Sequence, residues 1–162
     1  MMLRSLQTHG INIGPSGARS LNVAPSNNQQ IWIACNIALI HSSDGGSTFG
    51  QVAVPGSNVP KSIAIHSQNS QTLWVGFPIN SSERVLKTID GGVNWIPMST
   101  GLPNVAINDL IYQQGSNGVL YAGTDIGVYR YDPTLNAWEC YSKNLPVCMV
   151  TDLEIDYCRQ VL

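Results

Sequence analysis

Read for the alternation of apolar and polar positions, the chain contains three similar stretches: LNVAPSNNQQIWIA (residues 21–34), IAIHSQNSQTLWVG (63–76) and LIYQQGSNGVLYAG (110–123). In each, an alternating apolar run leads into a polar turn rich in Ser, Asn and Gln. A second apolar run follows, carrying Trp32, Trp74 or Tyr121 at the same place. Alternation with a period of two, bounded by turn residues, predicts half-buried strands joined as hairpins. Beyond each pair comes a third apolar run, a turn, and a fourth run holding Phe49, Trp95 or Trp138.

The predicted unit is therefore four short antiparallel strands, repeating with a period of roughly 40 to 47 residues. Tandem units of this size predict an all-β fold of β-propeller blades, about three and a fraction of them. The boundaries fall at 1–19 for a lead-in strand or cap, 20–58, 59–104 and 105–147 for three blades, and 148–162 for the start of a fourth. The last is announced by TDLEIDYCRQVL, which matches the opening of the earlier copies. A row of three blades leaves apolar faces and strand edges uncovered. Three outcomes are expected from this: the chain is part of a longer polypeptide, it associates as a homo-oligomer (most simply a dimer), or its terminal segments fold over the open faces as caps.

The third and fourth strands of the first two units are joined by HSSDGGSTF (residues 41–49) and KTIDGGVNW (87–95). Asp-Gly between β-rich runs is a strong hairpin signal, because glycine takes the positive φ that the turn requires. The spacing Ser42, Asp44, Gly46, Phe49 recurs as Thr88, Asp90, Gly92, Trp95. It resembles the Asp-box, or BNR repeat, of sialidases, xyloglucan hydrolases, sortilin-type receptors and large secreted bacterial proteins. A degenerate third copy runs through Tyr131, Asp132 and Trp138, with Pro133 and an extra residue in place of the glycines. The resemblance covers roughly residues 20 to 162 and implies a propeller whose Asp-boxes lie away from the ligand-binding face. It also implies an extracellular or cell-surface setting, although no signal peptide is visible in this chain. A short carboxylate accepting backbone amides within its own turn gives the same answer: Asp44 and Asp90 are structural, and the aromatic five residues on pins the hairpin to its blade.

Composition narrows the chemistry. Among 162 residues, 43% are hydrophobic, enough for a core, and only 11% are charged, with a formal net charge of −2. No run of Lys or Arg provides a footprint for nucleic acid, and no apolar stretch approaches the length of a membrane-spanning helix. Cys35, Cys140, Cys148 and Cys158 form no CxxC pair and have no His at ligand spacing, so no zinc site is expected. Calcium is unsupported because Gly45, Ser47, Gly91 and Val93 supply no further carboxylates around the boxes. No cofactor is implied. Cys140, Cys148 and Cys158 crowd the C-terminal quarter and would permit a disulfide in an oxidising compartment, with buried thiols the other reading. Asn80, in NSS, is a glycosylation acceptor only in a eukaryotic secretory pathway.

Catalytic signals are weak. The arginines Arg4, Arg19, Arg84, Arg130 and Arg159 are scattered and lack the sialidase arginine motif. No Ser or Cys has a recognisable base motif near it. A glycosidase needs two carboxylates across a cleft, and Asp109, Asp125 and Asp152 are the acids best placed near strand starts and turns to face a ligand. Asp109 and Asp152 occupy matching positions in successive repeats (NDL, TDL), which argues for structure as well. Two readings follow: a non-catalytic binding or scaffold module for a glycan or protein ligand, and a piece of a BNR-type glycoside hydrolase whose catalytic acids lie outside this chain.

Overall fold

The computed structural model describes residues 7–8, 11–12, 17–57, 59–79, 81 and 83–157. Asn80, Cys158 and the end of the fourth copy lie outside the described residues, as does most of the 1–19 lead-in. A two-stranded ladder pairs β1 (Gln7–Thr8) with β2 (Ile11–Asn12). Three four-stranded antiparallel sheets follow in sequence. The first contains β3 (Ala18–Ala24), β4 (Asn27–Cys35), β5 (Leu39–Ser42) and β6 (Gly50–Val52). The second contains β7 (Ser62–Ile65), β8 (Leu73–Gly76), β9 (Val85–Thr88) and β10 (Ile96–Pro97). The third contains β11 (Ile107–Tyr112), β12 (Leu120–Thr124), β13 (Gly127–Asp132) and β14 (Ala137–Cys140). Each sheet is a simple meander, and the first strands β3, β7 and β11 stand side by side, so the sheets radiate from them as propeller blades.

The register makes the repeats equivalent position by position over their first two strands. Leu21 pairs with Ile33, Ile63 with Val75, and Leu110 with Ala122. Trp32, Trp74 and Tyr121 therefore occupy one position of the blade, and Trp32 and Trp74 face the next sheet. The first hairpin departs from the pattern: its polar residues are not a loop but part of β4, turning at Pro25–Ser26. The ladder skips from Val23↔Ile31 to Ala24↔Asn27, so residues 28–30 bulge from the strand.

Two apolar clusters fill the spaces between blades. Trp32, Leu39, Ile63, Leu73 and Phe77 lie between the first and second blades; Trp74, Val85, Ile107, Leu110 and Tyr112 lie between the second and third. The fit is tight enough to exclude a methyl group. A Cβ on Gly76 would stand 2.6 Å from Ile107 Cγ2 and 2.7 Å from Ser62 Oγ. A smaller cluster of Ile33, Cys35 and Ile40 lies on the far side of the first blade and is likewise buried.

The aromatics of the fourth strands reach further than their own hairpins. Trp95 Nε1 donates to the carbonyl of Ala53 in the first blade at 3.0 Å, and Trp138 Nε1 donates to that of Met98 in the second at 2.6 Å. The second and third blades are thus each hydrogen-bonded to the blade before through one indole. Trp138 is buried, whereas Trp95 is half-buried.

Candidate functional site

The Asp-Gly hairpins are self-contained. Ser42 Oγ accepts the Gly46 amide at 2.8 Å and donates to Asp44 Oδ1 at 2.8 Å. Asp44 also accepts the amide and hydroxyl of Thr48, at 2.8 and 2.6 Å. Thr88, Gly92, Asp90 and Asn94 repeat the arrangement, with the Asn94 amide and side chain donating to Asp90 at 2.9 and 2.7 Å. The Thr48 hydroxyl, then the Thr48 amide and Ser42, hold Asp44 down to about 2; the Asn94 amide, then its side chain and Thr88, do the same for Asp90. Gly46 and Gly92 have φ of 92° and 88°, in the region that favours glycine. Gly92 has a second constraint, since a Cβ there would stand 2.7 Å from Val52 of the preceding blade. Phe49 contacts Gly46 within its own hairpin.

The third hairpin uses a different device. Tyr131 pairs with Leu120 as Ser42 pairs with Ile31 and Thr88 with Leu73, so Tyr131 holds the hydroxyl position and Asp132 comes one residue early. Asp132 accepts the Thr134 amide and hydroxyl at 2.8 and 2.7 Å and pairs with Arg130 at 3.3 Å. Asn136, at φ 50°, makes the left-handed turn and accepts from the Tyr131 hydroxyl.

The three candidate ligand-facing acids separate into two environments. Asp109 and Asp152 line a cleft of about 390 Å³ where the starts of the first strands converge, together with Arg19, Asn22, Lys61 and Asn108. Register again explains the convergence. Ser20 pairs with Ala34, Ser62 with Gly76 and Asp109 with Gly123, so Ser20, Ser62 and Asp109 are equivalent. The residues just before them, Arg19, Lys61 and Asn108, form the next layer.

Segment 150–157 continues the arrangement without joining a sheet. The Val150 amide donates to Thr124 O at 2.9 Å, as the Ile107 amide does to Phe77 O at 2.9 Å. Asp109 Oδ2 accepts the Leu153 amide at 3.0 Å, while Oδ1 accepts the Leu110 amide at 2.9 Å. Burial pushes the Asp109 carboxyl above its ordinary value, with the charge of Asp152 adding to it and the two amides opposing. Asp152 is exposed. Asp125 does not line the cleft: it sits in the turn between β12 and β13 and accepts Asn108 Nδ2 at 2.9 Å, while Asn108 Oδ1 accepts from Lys61 Nζ. Sequence reasoning on acids alone missed Arg19 and Lys61, although their place two residues before Leu21 and Ile63, the heads of the first two repeats, was readable from the repeat.

A second cavity, about 550 Å³, opens on the face of the third blade, between Tyr121, Tyr141 and Leu145 on one side and residues 153–156 on the other. Its existence follows from the repeat. Trp32 and Trp74 are covered by the next blade, and Tyr121, in the equivalent position, is left half-buried, edge-on to Tyr141 at 5.2 Å between centroids. Among the described residues, no group of three or more His, Cys, Asp or Glu side chains gathers as a metal site. Cys35, Cys140 and Cys148 are free thiols, with Cys148 exposed and only Cys35 fully buried.

No protein-family profile matches the chain. A xyloglucanase of Hypocrea jecorina (strain QM6a) is 24% identical over 122 residues, covering 73% of this chain and 15% of its own length. Among solved structures, the GH74 xyloglucanase from Xanthomonas campestris superposes with a TM-score of 0.64 at 15% identity, covering 80% of this chain and 24% of that one. YCF48 bound to D1 peptide gives 0.58 at 16% identity, covering 77% and 40%. The RRP9 WD40 repeats give 0.61 at 22% identity, covering 84% and 40%. The likeness is one of fold: the chain is a β-propeller segment, spanning less than half of each of these relatives.

Proposed function

We propose that this chain is a non-catalytic binding or scaffold module of the BNR type, which takes a glycan or protein ligand at the cleft where its first strands converge. The observation that carries this reading is the state of Asp109. Both of its oxygens are committed to backbone amides of Leu110 and Leu153, so the better buried of the cleft's two acids acts as a clamp between successive repeats. A carboxylate so engaged is a poor general acid or base, because proton transfer requires reach to the substrate. In the same reading Ser42, Asp44, Thr88, Asp90 and Asp132 are structural turn residues, and the blades are bounded as the repeats divide the sequence. The open face of the third blade is where a second copy would seat, which light scattering at low micromolar concentration tests.

The alternative, a piece of a glycoside hydrolase with its catalytic acids elsewhere, draws its support from the xyloglucanase similarity. A glycan array paired with product analysis separates the two. The module reading expects retention of ligand without cleavage; release of shortened oligosaccharides by this chain would overturn it.

A further inference from the structure

Among the described residues, the two cations of the cleft form no ion pair, although two acids share its lining. Arg19 and Lys61 hold the same layer of adjacent first strands and line the same space. Arg19 Nε donates to Asn36 Oδ1 at 2.6 Å and Lys61 Nζ donates to Asn108 Oδ1. An amide oxygen orients a cation but leaves its charge intact. The terminal nitrogens of Arg19 and the remaining ammonium hydrogens of Lys61 have no acceptor among the described residues. The second partner is itself held in place: Asn108 donates its own amide nitrogen to Asp125 at 2.9 Å, which fixes which end of the amide faces Lys61.

We propose that Arg19 and Lys61 form a carboxylate-binding subsite, so that the ligand of this cleft is a small organic monoanion. The inference rests on the cleft being the ligand site, as proposed above, and adds the chemistry that selects the ligand. Guanidinium presents a planar fork suited to a carboxylate, and ammonium adds a point charge beside it. The acids of the lining favour one negative charge over two: Asp109 and Asp152 share the cleft, and a dianion would meet both carboxylates in the same confined space. Asp152, exposed and uncommitted, can accept hydroxyl or amide hydrogens from the uncharged part of the ligand. A volume of about 390 Å³ lies at the small end of the usual range of ligand sites, about 300–1,000 Å³.

The test is calorimetric titration of the 162-residue chain with D-glucuronate, D-glucose, N-acetylglycine and inorganic phosphate, in parallel with Arg19→Gln, Lys61→Gln and Lys61→Arg. A carboxylate is expected to bind at least about tenfold more tightly than glucose and more tightly than phosphate. Either glutamine substitution should remove that preference, and Lys61→Arg should retain it. Glucuronate above N-acetylglycine identifies a sugar acid as the source of the carboxylate; the reverse order identifies an amino-acid or peptide terminus. Glucose binding as tightly as glucuronate would overturn the anion subsite while leaving a binding cleft in place. Phosphate binding more tightly than both carboxylates, or a preference that survives both glutamine variants, would overturn it as well. Absence of binding by every compound would reject the cleft itself. Circular dichroism confirms that the exposed Arg19 and half-buried Lys61 variants stay folded.

Discussion

Trp138 is the position at which blade-to-blade coupling can be measured most directly. Its ring is 3% exposed, packs 5.5 Å from Tyr131 between centroids, and donates to Met98 O at 2.6 Å from one blade to the one before. Trp138→Ala removes the whole ring, and truncation of a buried aromatic costs about 3–5 kcal/mol. Trp138→Phe keeps most of the apolar contact and deletes the donor. A net hydrogen bond is worth about 0.5–1.5 kcal/mol, rising to about 1–3 where the acceptor is left buried and unpaired. The phenylalanine variant should therefore lose about 1–2 kcal/mol and the alanine variant about two to three times as much. For a chain of this size each kcal/mol lowers Tm by about 2–4 °C, so the expected drops are about 2–8 °C and 6–20 °C. Urea unfolding followed by far-ultraviolet circular dichroism measures both without depending on the altered tryptophan. A phenylalanine variant within about 0.3 kcal/mol of the parent would show that the indole N–H does not couple the blades, whatever its distance.

Asp44 and Asp90, each held near 2 in the folded state against an ordinary 3.8, stabilise the fold above about pH 4 and lose that contribution as pH falls toward 2. Asp44→Ala and Asp90→Ala should each lower the urea midpoint at pH 6 and flatten its decline between pH 4 and 2; an unchanged acid slope counts against the turn mechanism. Asp109 is displaced the other way, so carbon-detected NMR should show its carboxyl titrating above 3.8 while Asp44 and Asp90 titrate well below it. Gly76→Ala places a methyl against Ile107 and Ser62 and should cost about 1–3 kcal/mol in chemical unfolding. Gly50→Ala, where a Cβ has nothing within 4 Å, serves as its control and should be near neutral.

What the sequence made legible was whatever repeats locally. Strand alternation and the Asp-Gly strings are short-range signals, and they sufficed to put Trp32, Trp74 and Tyr121 in one register and to reveal four strands per blade. The first hairpin misled, because Asn27–Gln30 read as a polar loop and are strand residues with a bulge, a choice made by the pairing of Asn27 with Ala24 of β3. The burial of equivalent residues was not legible either. Trp74 and Tyr121 have equivalent places in their ladders, and only the presence or absence of a neighbouring blade separates a buried ring from a half-buried one. The candidate site was found in part. Asp109 and Asp152 were singled out as acids, but Leu153, which donates to Asp109, and Lys61 and Arg19, which share the cleft, come from other repeats, and Asp125 lies outside the cleft and orients Asn108.

The two indole bonds also give the molecule a direction. Both run from a later blade to a carbonyl already present in an earlier one, Trp95 to Ala53 and Trp138 to Met98. A nascent chain emerging amino end first exposes each acceptor before its donor exists, so every new blade arrives carrying its own fastener and closes onto a finished surface. Water can replace the lost half of either bond once a blade is removed, so the direction lies in the order in which the blades assemble and not in the strength with which either end is held.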